Sequence, residues 1–476
     1  MSKLRGFVAV FLSASCVVAP RLAVAQTATA PPQSNAAAVA RVDATIPTIM
    51  TAAKIPGMSI AVARDGATVY THAYGYANLA NKTPATVETH YEIGSITKQF
   101  TATAILQLKE AAKLSLDDRL ARWIPEYPRA AKVTIRELLQ QTTGIPDYVA
   151  VNHFEKIAGT QQPSFAAILV LIDKKPLEFT PGSKFTYSNT NYILLGEIVE
   201  RASGTTWEAY VRNHLFAPAH MMQSGFIDDE AKLQPMATGY VADKKGVRVA
   251  PPLLSGWAWS AGAIVSTVDD MLAWDSALFR GLLINQTDLA AMFAPGREAF
   301  GKNSTYGFGW VIDTADGHKR IWHNGGTFGF LSANLVFPKD RMAVIVLQNA
   351  DTIAAPESTA QRIFEAFQPT ALVSAMGEDP AVTARVRDWI NRLETGNIDR
   401  SQLDATMNAK LTPQFVTEVK QQMSILGAPQ QLVFLGKSSA NGITVYDYRA
   451  VFPAVAFTLR FAVNRTGKIA GLRLLP

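Results

Sequence analysis

The stretch Gly94-Ser95-Ile96-Thr97-Lys98-Gln99-Phe100 places a serine and a lysine three residues apart, where an apolar helical pattern begins. The pattern predicts a helix over residues 96–113, and its apolar positions are Phe100, Ala104, Ile105 and Leu108. Residues three apart on a helix lie on one face, one turn from each other. Ser95 is thereby predicted at the helix N-terminus, where backbone N–H groups and the helix dipole favour negative charge.

This pairing suggests a chemistry. A serine hydroxyl is a weak nucleophile until a base removes its proton. A lysine that is held close by and partly desolvated can be neutral enough to act as that base. The chain contains no second Ser-x-x-Lys. The alternative is a capping serine beside a surface lysine, and this short motif leaves both interpretations open.

A second motif is Tyr187-Ser188-Asn189, which follows Thr180-Pro181-Gly182. A tyrosine near cationic groups can exchange protons with a leaving group. An asparagine can hydrogen-bond a substrate amide with both ends of its side chain. The similar triplet Tyr76-Ala77-Asn78 follows a predicted hairpin and is interpreted as structural.

A third motif is Trp322-His323-Asn324-Gly325-Gly326-Thr327, predicted to open a strand after the turn at Asp316-Gly317. Two consecutive glycines allow a ligand to approach the backbone closely. A backbone N–H of this segment, together with that of Ser95, could form an oxyanion hole. Taken alone, His323 is better explained as a packed edge histidine than as a functional residue.

The first 25 residues predict a secretory signal peptide. Lys3 and Arg5 precede a short apolar stretch over residues 6–19, and Ala23-Val24-Ala25 offers a small-residue cleavage site. We therefore expect export, with a periplasmic or secreted mature protein that has no stable membrane span. The alternatives are an uncleaved anchor or a lipoprotein signal at Cys16.

Composition excludes several function classes for the mature chain. Without residues 1–25 it carries 42 basic and 39 acidic residues, a net charge of +3, which does not indicate nucleic-acid binding. Cys16 is the sole cysteine, so no disulfide or thiolate chemistry is expected after cleavage. None of the seven histidines forms a His-x-x-x-His pair, which gives a metal site little support.

The chain has 476 residues and is 48% apolar, so more than one domain is expected. Residues 26–36 predict a flexible leader, residues 37–368 a catalytic domain, and residues 369–380 a linker. Residues 381–476 predict a small α+β domain of unknown role, with helices over 381–393 and 413–423 followed by four strands. Within the large domain, Asp65-Gly66 predicts a hairpin between strands 58–63 and 68–74. Residues 262–281 predict a helical region, and residues 306–312 a strand.

Taken together, the three motifs resemble the serine β-lactamase and penicillin-binding-protein superfamily. The pattern Ser-x-x-Lys, Tyr-x-Asn and Lys/His-x-Gly falls in order at Ser95, Tyr187 and His323. The similarity is greatest to the class C β-lactamase-related branch, with its D-alanyl-D-alanine carboxypeptidases, D-aminopeptidases and esterases. Intervening stretches also match, among them residues 138–145, 181–182, 191–196, 260–270 and 306–310.

The resemblance implies an α+β fold in which a mostly antiparallel sheet is flanked by helices, with a helical subdomain and the site at their junction. It implies that Ser95 attacks, that Lys98 and Tyr187 share the proton transfers, and that Asn189 orients the substrate. The segment with His323, Gly325 and Gly326 would also bind substrate, and the N–H groups of Ser95 and Gly326 would hold the oxyanion. No metal or organic cofactor is implied.

Three positions depart from the family pattern. His323 stands where efficient β-lactamases of this branch carry lysine, and a histidine is mostly neutral at pH 7. Gln141 replaces a usual histidine, and Asn191 replaces a usual small residue. We therefore predict hydrolysis of an ester or of a short peptide, D-amino-acid peptides included. The alternatives are true β-lactamase activity and a non-catalytic penicillin-binding sensor. The physiological substrate and the oligomeric state stay open.

Overall fold

The computed structural model describes residues 35–151, 154–243, 246–301, 304–368, 377–452 and 456–475. These residues form two compact units: Lys54–Phe364, and the described residues up to Ala53 together with those from Glu365 onward. The predicted signal peptide, residues 26–34 of the predicted leader and residues 369–376 of the predicted linker lie outside the described residues. Among the helices that the structure describes, none has the length and apolar character needed to cross a membrane.

The unit Lys54–Phe364 contains strands, most of them antiparallel, and helices. Its strands are β1 Gly57–Arg64, β2 Ala67–Asn78, β3 Thr83–Pro84, β4 Tyr91–Glu92, β5 Gly225–Phe226, β6 Tyr240–Asp243, β7 Gly246–Val249, β8 Ile264–Ser266, β9 Thr305–Tyr306, β10 Val311–Ala315, β11 His318–Thr327, β12 Phe330–Phe337, β13 Met342–Gln348 and β14 Ala350–Asp351. Its helices are α2 Thr97–Glu110, α3 Ile135–Leu139, α4 Phe154–Ala158, α5 Phe165–Val170, α6 Asn189–Ser203, α7 Trp207–Val211, α8 Ser255–Gly262, α9 Val268–Phe279 and α10 Gln286–Met292, with most of α11 Pro356–Phe367. The predicted α+β class is confirmed.

Within the described residues, the main sheet has eight strands in the order β3-β2-β1-β13-β12-β11-β10-β9. The hairpin at Asp65-Gly66 is confirmed, and its register pairs Met58 with Tyr74 and Arg64 with Ala67. Both turn residues have positive φ, which glycine and aspartate tolerate better than most residues. Helix α9 packs against β1 and β13, whereas α2, α6 and α8 pack against one another. The short 3₁₀ turn Gly94–Ile96 touches β11, β12 and α8, so it lies where helices and sheet meet.

Two predicted elements are wrong in detail. Residues 262–281 are not helical throughout, because Ile264–Ser266 form β8, which pairs with β4 and β5. The helix starts only after Thr267, whose side chain accepts a hydrogen bond from the Asp270 backbone N–H. Residues 306–312 are also not one strand. Gly309 has φ +80°, and the chain folds back so that Tyr306 pairs with Val311.

In the other unit, the described C-terminal residues form a four-stranded antiparallel sheet in the order β15 Gln431–Ala440, β16 Ile443–Val451, β17 Ala456–Asn464 and β18 Ile469–Leu475. Helices α12 Pro380–Thr395, α13 Ala405–Lys410 and α14 Pro413–Leu426 precede it. Trp389, Tyr448 and Phe461 are fully or almost fully buried in its apolar core. Helix α1, Asn35–Ala53, also belongs to this unit.

Candidate active site

Ser95 and Lys98 lie together at the junction of the helices and the main sheet. The Lys98 side-chain nitrogen, Nζ, is 3.0 Å from Ser95 Oγ. Ser95 lies in the 3₁₀ turn Gly94–Ile96 and Lys98 in the first turn of α2, so the contact spans one helical turn. Lys98 is completely buried. The alternative of a surface lysine is therefore wrong.

The Lys98 side chain also bonds to Asn189 and Ala261. Its Nζ donates to Asn189 Oδ1 at 2.9 Å and to the backbone oxygen of Ala261 at 2.8 Å. A neutral amine has two N–H groups and one lone pair. If Asn189 and Ala261 receive the two N–H groups, the lone pair is left facing the Ser95 hydroxyl. The arrangement therefore suits proton transfer from serine to lysine.

The Ala261 carbonyl is a functional group that the sequence prediction missed. It follows Trp259, which has φ 30° and ψ −131° inside α8 and breaks the helix there. A non-glycine residue in that conformation is strained by about 1–3 kcal/mol and persists where surrounding contacts hold it. The Trp259 indole N–H donates to Glu208 at 2.7 Å, and Thr101 Oγ1 donates to the Ser260 carbonyl at 2.7 Å. These bonds fix the kink that aims the next carbonyl at Lys98.

Tyr187 and Asn189 also reach this site. The Lys98 nitrogen lies 4.9 Å from the centre of the Tyr187 ring and 5.6 Å from that of Tyr192. Tyr187 precedes α6, and Asn189 is the first residue of that helix. The Tyr76-Ala77-Asn78 triplet lies on β2, where Asn78 Nδ2 donates to Thr238 Oγ1, as its structural interpretation requires.

Two of the departures from the family pattern are partners of each other. The Asn191 amide donates to Gln141 Oε1, which also accepts the backbone N–H of Ser188 at 3.1 Å. Thr143 Oγ1 donates to Asn191 Oδ1 at 2.7 Å. The pair therefore holds the backbone between Tyr187 and Asn189, a role that the sequence did not reveal at either position alone.

Glycines allow the serine turn to touch β11. A Cβ built on Gly94, which has φ +52°, would lie 2.5 Å from the Gly326 backbone nitrogen. The segments that carry the two predicted oxyanion donors, Ser95 N–H and Gly326 N–H, are thus in direct contact. A Cβ on Gly325 would lie 1.9 Å from the Ile93 carbonyl oxygen and 2.4 Å from Ser332 Oγ.

We expect Gly325→Ala to destabilise the protein strongly, because its Cβ clashes with backbone that cannot move aside. Overpacking of this kind costs about 3 kcal/mol. Gly326→Ala is the matched control, since its Cβ would meet the flexible end of Leu331 at 3.2 Å. Urea unfolding measures both free energies. Equal losses for the two variants would contradict the role given to Gly325.

His323 lies in the middle of β11 and is 2% exposed. Its Nε2 is 3.0 Å from the Tyr306 hydroxyl, and its Nδ1 is 2.5 Å from the Asn324 carbonyl oxygen. These partners fit a neutral ring that donates from Nδ1 and accepts at Nε2. Burial, and then the charge of Lys98, lower the pKa of His323 to about 3. Both nitrogens are engaged inside the protein, so direct substrate binding by His323 stays a prediction.

This lowered pKa predicts an acid-sensitive stability. Between pH 6.5, where an unfolded histidine titrates, and about pH 3, the unfolded chain binds a proton at His323 that the folded chain does not. Stability conferred by the neutral ring is therefore present above pH 6.5 and is lost as the pH falls, by roughly 1.4 kcal/mol per unit. We expect the free energy of unfolding of the wild type to fall more steeply from pH 6 to pH 4 than that of His323→Gln. Parallel curves would contradict this.

The fold and this constellation define the class of protein, that of hydrolases built on the β-lactamase and penicillin-binding-protein fold. The sequence profile of the family described as Beta-lactamase matches residues 42–368. The chain belongs to this family. In the described residues, no group of three or more His, Cys, Asp or Glu side chains could hold a metal ion.

Named relatives agree with this assignment. "Penicillin-binding protein 4*" of Bacillus subtilis is 30% identical over 312 residues, which cover 62% of this chain and 68% of the relative. The structure of an octameric penicillin-binding protein homologue from Pyrococcus abyssi matches with a TM-score of 0.64 at 25% sequence identity. The match covers 89% of this chain and 90% of the homologue's chain. A D-stereospecific amidohydrolase from Streptomyces has a TM-score of 0.60 at 26% identity, with 70% of this chain and 98% of its own covered.

Proposed function

We propose that this protein is a serine hydrolase that forms an acyl-enzyme on Ser95 and acts on an ester or a short peptide or amide, D-configured ones included. The observation that carries the proposal is the 3.0 Å contact between Lys98 Nζ and Ser95 Oγ, with the lysine buried and its other hydrogen bonds directed to Asn189 and Ala261. A buried amine in that position can accept the hydroxyl proton without a metal or a histidine.

The proposed first step conserves atoms and charge. The Ser95 proton moves to the Lys98–Tyr187 pair as Oγ attacks the substrate carbonyl carbon. The bond from that carbon to the leaving oxygen or nitrogen then breaks, and the leaving group takes the same proton. In the second step, a water molecule gives a proton to the pair as its oxygen attacks the acyl carbon. The bond from that carbon to Ser95 Oγ then breaks, and Oγ takes the proton back from the pair, so that both return to their starting forms. We treat Lys98 and Tyr187 as one base in this scheme, because Lys98 Nζ lies 4.9 Å from the centre of the Tyr187 ring and the contact does not single out either group.

Two findings support ester, peptide or amide substrates over specialised β-lactamase activity. His323 is uncharged near neutral pH, so it does not supply the permanent positive charge that a lysine would offer to a β-lactam carboxylate. A structural relative is a D-stereospecific amidohydrolase, which supports amides with D-residues. We also propose that the protein is exported, on the strength of the signal-peptide pattern in residues 1–25.

The test is a substrate panel with the purified chain from Gln26 onward. It compares p-nitrophenyl esters, matched D- and L-amino-acid amides, short peptides and nitrocefin, alongside labelling by a fluorophosphonate and a fluorescent penicillin. We expect labelling, and higher kcat/KM on an ester or amide than on nitrocefin. Efficient nitrocefin turnover would instead support a true β-lactamase, and stable acylation without turnover would support a sensor. A folded protein that neither label modifies would overturn the proposal.

A further inference from the structure

Asp147 lies behind Asn189, on the side away from Lys98, and the proposed chemistry does not yet use it. Its Oδ1 accepts the Asn189 backbone N–H at 3.2 Å, and its Oδ2 accepts the Asn189 side-chain Nδ2–H at 3.0 Å. Oδ1 is also 3.4 Å from the Val149 backbone nitrogen. The carboxylate is therefore tied to both the backbone and the side chain of the residue that contacts Lys98.

These bonds decide which way the Asn189 amide points. A side-chain amide has an oxygen end and a nitrogen end of similar shape, and only hydrogen bonding distinguishes them. An ionised carboxylate accepts but cannot donate, so Asp147 requires the nitrogen end to face it. The oxygen end is then left to accept from Lys98 Nζ, at 2.9 Å.

The same carboxylate also completes the start of α6. Ser188 precedes the helix and makes no capping bond with its side chain. Asp147 supplies an acceptor for the first backbone N–H and places negative charge at the positive end of the helix dipole. Asn189 is consequently fixed in position as well as in orientation.

We propose that Asp147 is a positioning residue. It holds Asn189 so that Asn189 accepts one Lys98 N–H, and the lone pair of the neutral lysine then faces Ser95. Separately, the negative charge of Asp147 favours the protonated form of Lys98. This inference rests on the proposed function. It adds a residue outside the three motifs, contributed by the loop that follows α3.

The charges around Lys98 allow the second part of the proposal to be tested. Burial raises the pKa of the Asp147 carboxyl, while the backbone N–H of Val149, the charge of Lys98 and the bonds from Asn189 oppose that rise. The attraction between Lys98 and Asp147 is mutual, so an ionised Asp147 favours the ammonium form of the lysine. The titratable groups that face Lys98 or Asp147 are Tyr187, Tyr192, His323 and Tyr148. Burial lowers the pKa of His323 and raises the pKa values of Tyr192 and Tyr148. All three side chains are therefore neutral near pH 7.

The experiment compares Asp147→Ala and Asp147→Asn with the wild type, using kcat and KM for the best ester across pH 5–10. For Asp147→Ala we expect kcat to fall by roughly 10- to 100-fold with KM nearly unchanged, because misplacement of a catalytic contact acts mainly on turnover. Asp147→Asn keeps an acceptor but loses the charge. We expect a smaller loss of kcat and an acidic limb of kcat/KM displaced to lower pH, since Lys98 then stays neutral in more acidic solution.

Asp117→Asn is the matched control, because Asp117 is an exposed carboxylate that pairs with Arg136. It should leave kcat and the acidic limb unchanged. A merely structural role for Asp147 would lower the melting temperature without moving the limb, so an unmoved limb in Asp147→Asn overturns the charge effect. Wild-type kcat in Asp147→Ala overturns the positioning role.

The proposed function can fail separately. In that case the wild type neither turns over substrate nor accepts either label, and the positioning claim is decided by crystal structures of the wild type and Asp147→Ala. It is overturned if Asn189 Oδ1 keeps its bond to Lys98 Nζ in the alanine variant, and supported if the amide turns or moves away.

Discussion

Ser95→Ala should lose about four powers of ten in kcat on the best ester substrate while remaining folded. The proposed acyl-enzyme is an ester of the Ser95 oxygen. The alanine variant has no side-chain oxygen at position 95, so it cannot form this ester. Residual activity would come from binding and from the oxyanion donors alone, as it does when nucleophiles are removed from other serine hydrolases. Stopped-flow and steady-state assays at one pH measure the ratio directly.

The control for this variant is Ser183→Ala. Ser183 is exposed, and its hydroxyl donates to the Thr180 carbonyl oxygen, outside the site. It should keep wild-type kcat and wild-type labelling. Mass spectrometry of the labelled wild type should place the fluorophosphonate adduct on a peptide containing Ser95. Equal turnover by Ser95→Ala and the wild type would remove the basis of the proposed mechanism.

Much of the fold was predictable because its signals are local. The Asp65-Gly66 hairpin and the four C-terminal strands come from alternation and turn chemistry, which depend on neighbours in sequence. The predicted helix after Ser95 also exists, as α2. By contrast, Ile264–Ser266 was missed because three residues are too few for an alternation signal, and the strand is defined by pairing with distant β4 and β5.

The site was predictable to the extent that its groups are side chains in recognisable motifs. Ser95, Lys98, Tyr187 and Asn189 come together as the resemblance implied. The Ala261 carbonyl could not be found, because every residue has a carbonyl and only the kink at Trp259 gives this one a direction. Asp147 was overlooked for a related reason, since its importance comes from a contact with Asn189, 42 residues further along the chain.

Lys98 should be as sensitive to substitution as Ser95, even to a residue that preserves its charge. Lys98→Arg keeps a cation, but a guanidinium does not release its proton near neutral pH and so cannot act as a base. Lys98→Met keeps the length but leaves Asn189 Oδ1 and the Ala261 carbonyl without their donor. We expect both to lower the acylation rate by about three powers of ten or more, measured as the rate of fluorophosphonate labelling.

The comparison of the two variants separates charge from proton transfer. If Lys98 acted only as a fixed positive charge, Lys98→Arg would retain most of the activity and Lys98→Met would not. If it is the base, or half of a coupled base with Tyr187, both fail, and the melting temperature shows whether each is folded. Lys109→Met, further along α2, removes a lysine that is 37% exposed and pairs with Asp288. This variant should be acylated at the wild-type rate, because Lys109 bonds to Asp288 and not to Ser95 or its partners.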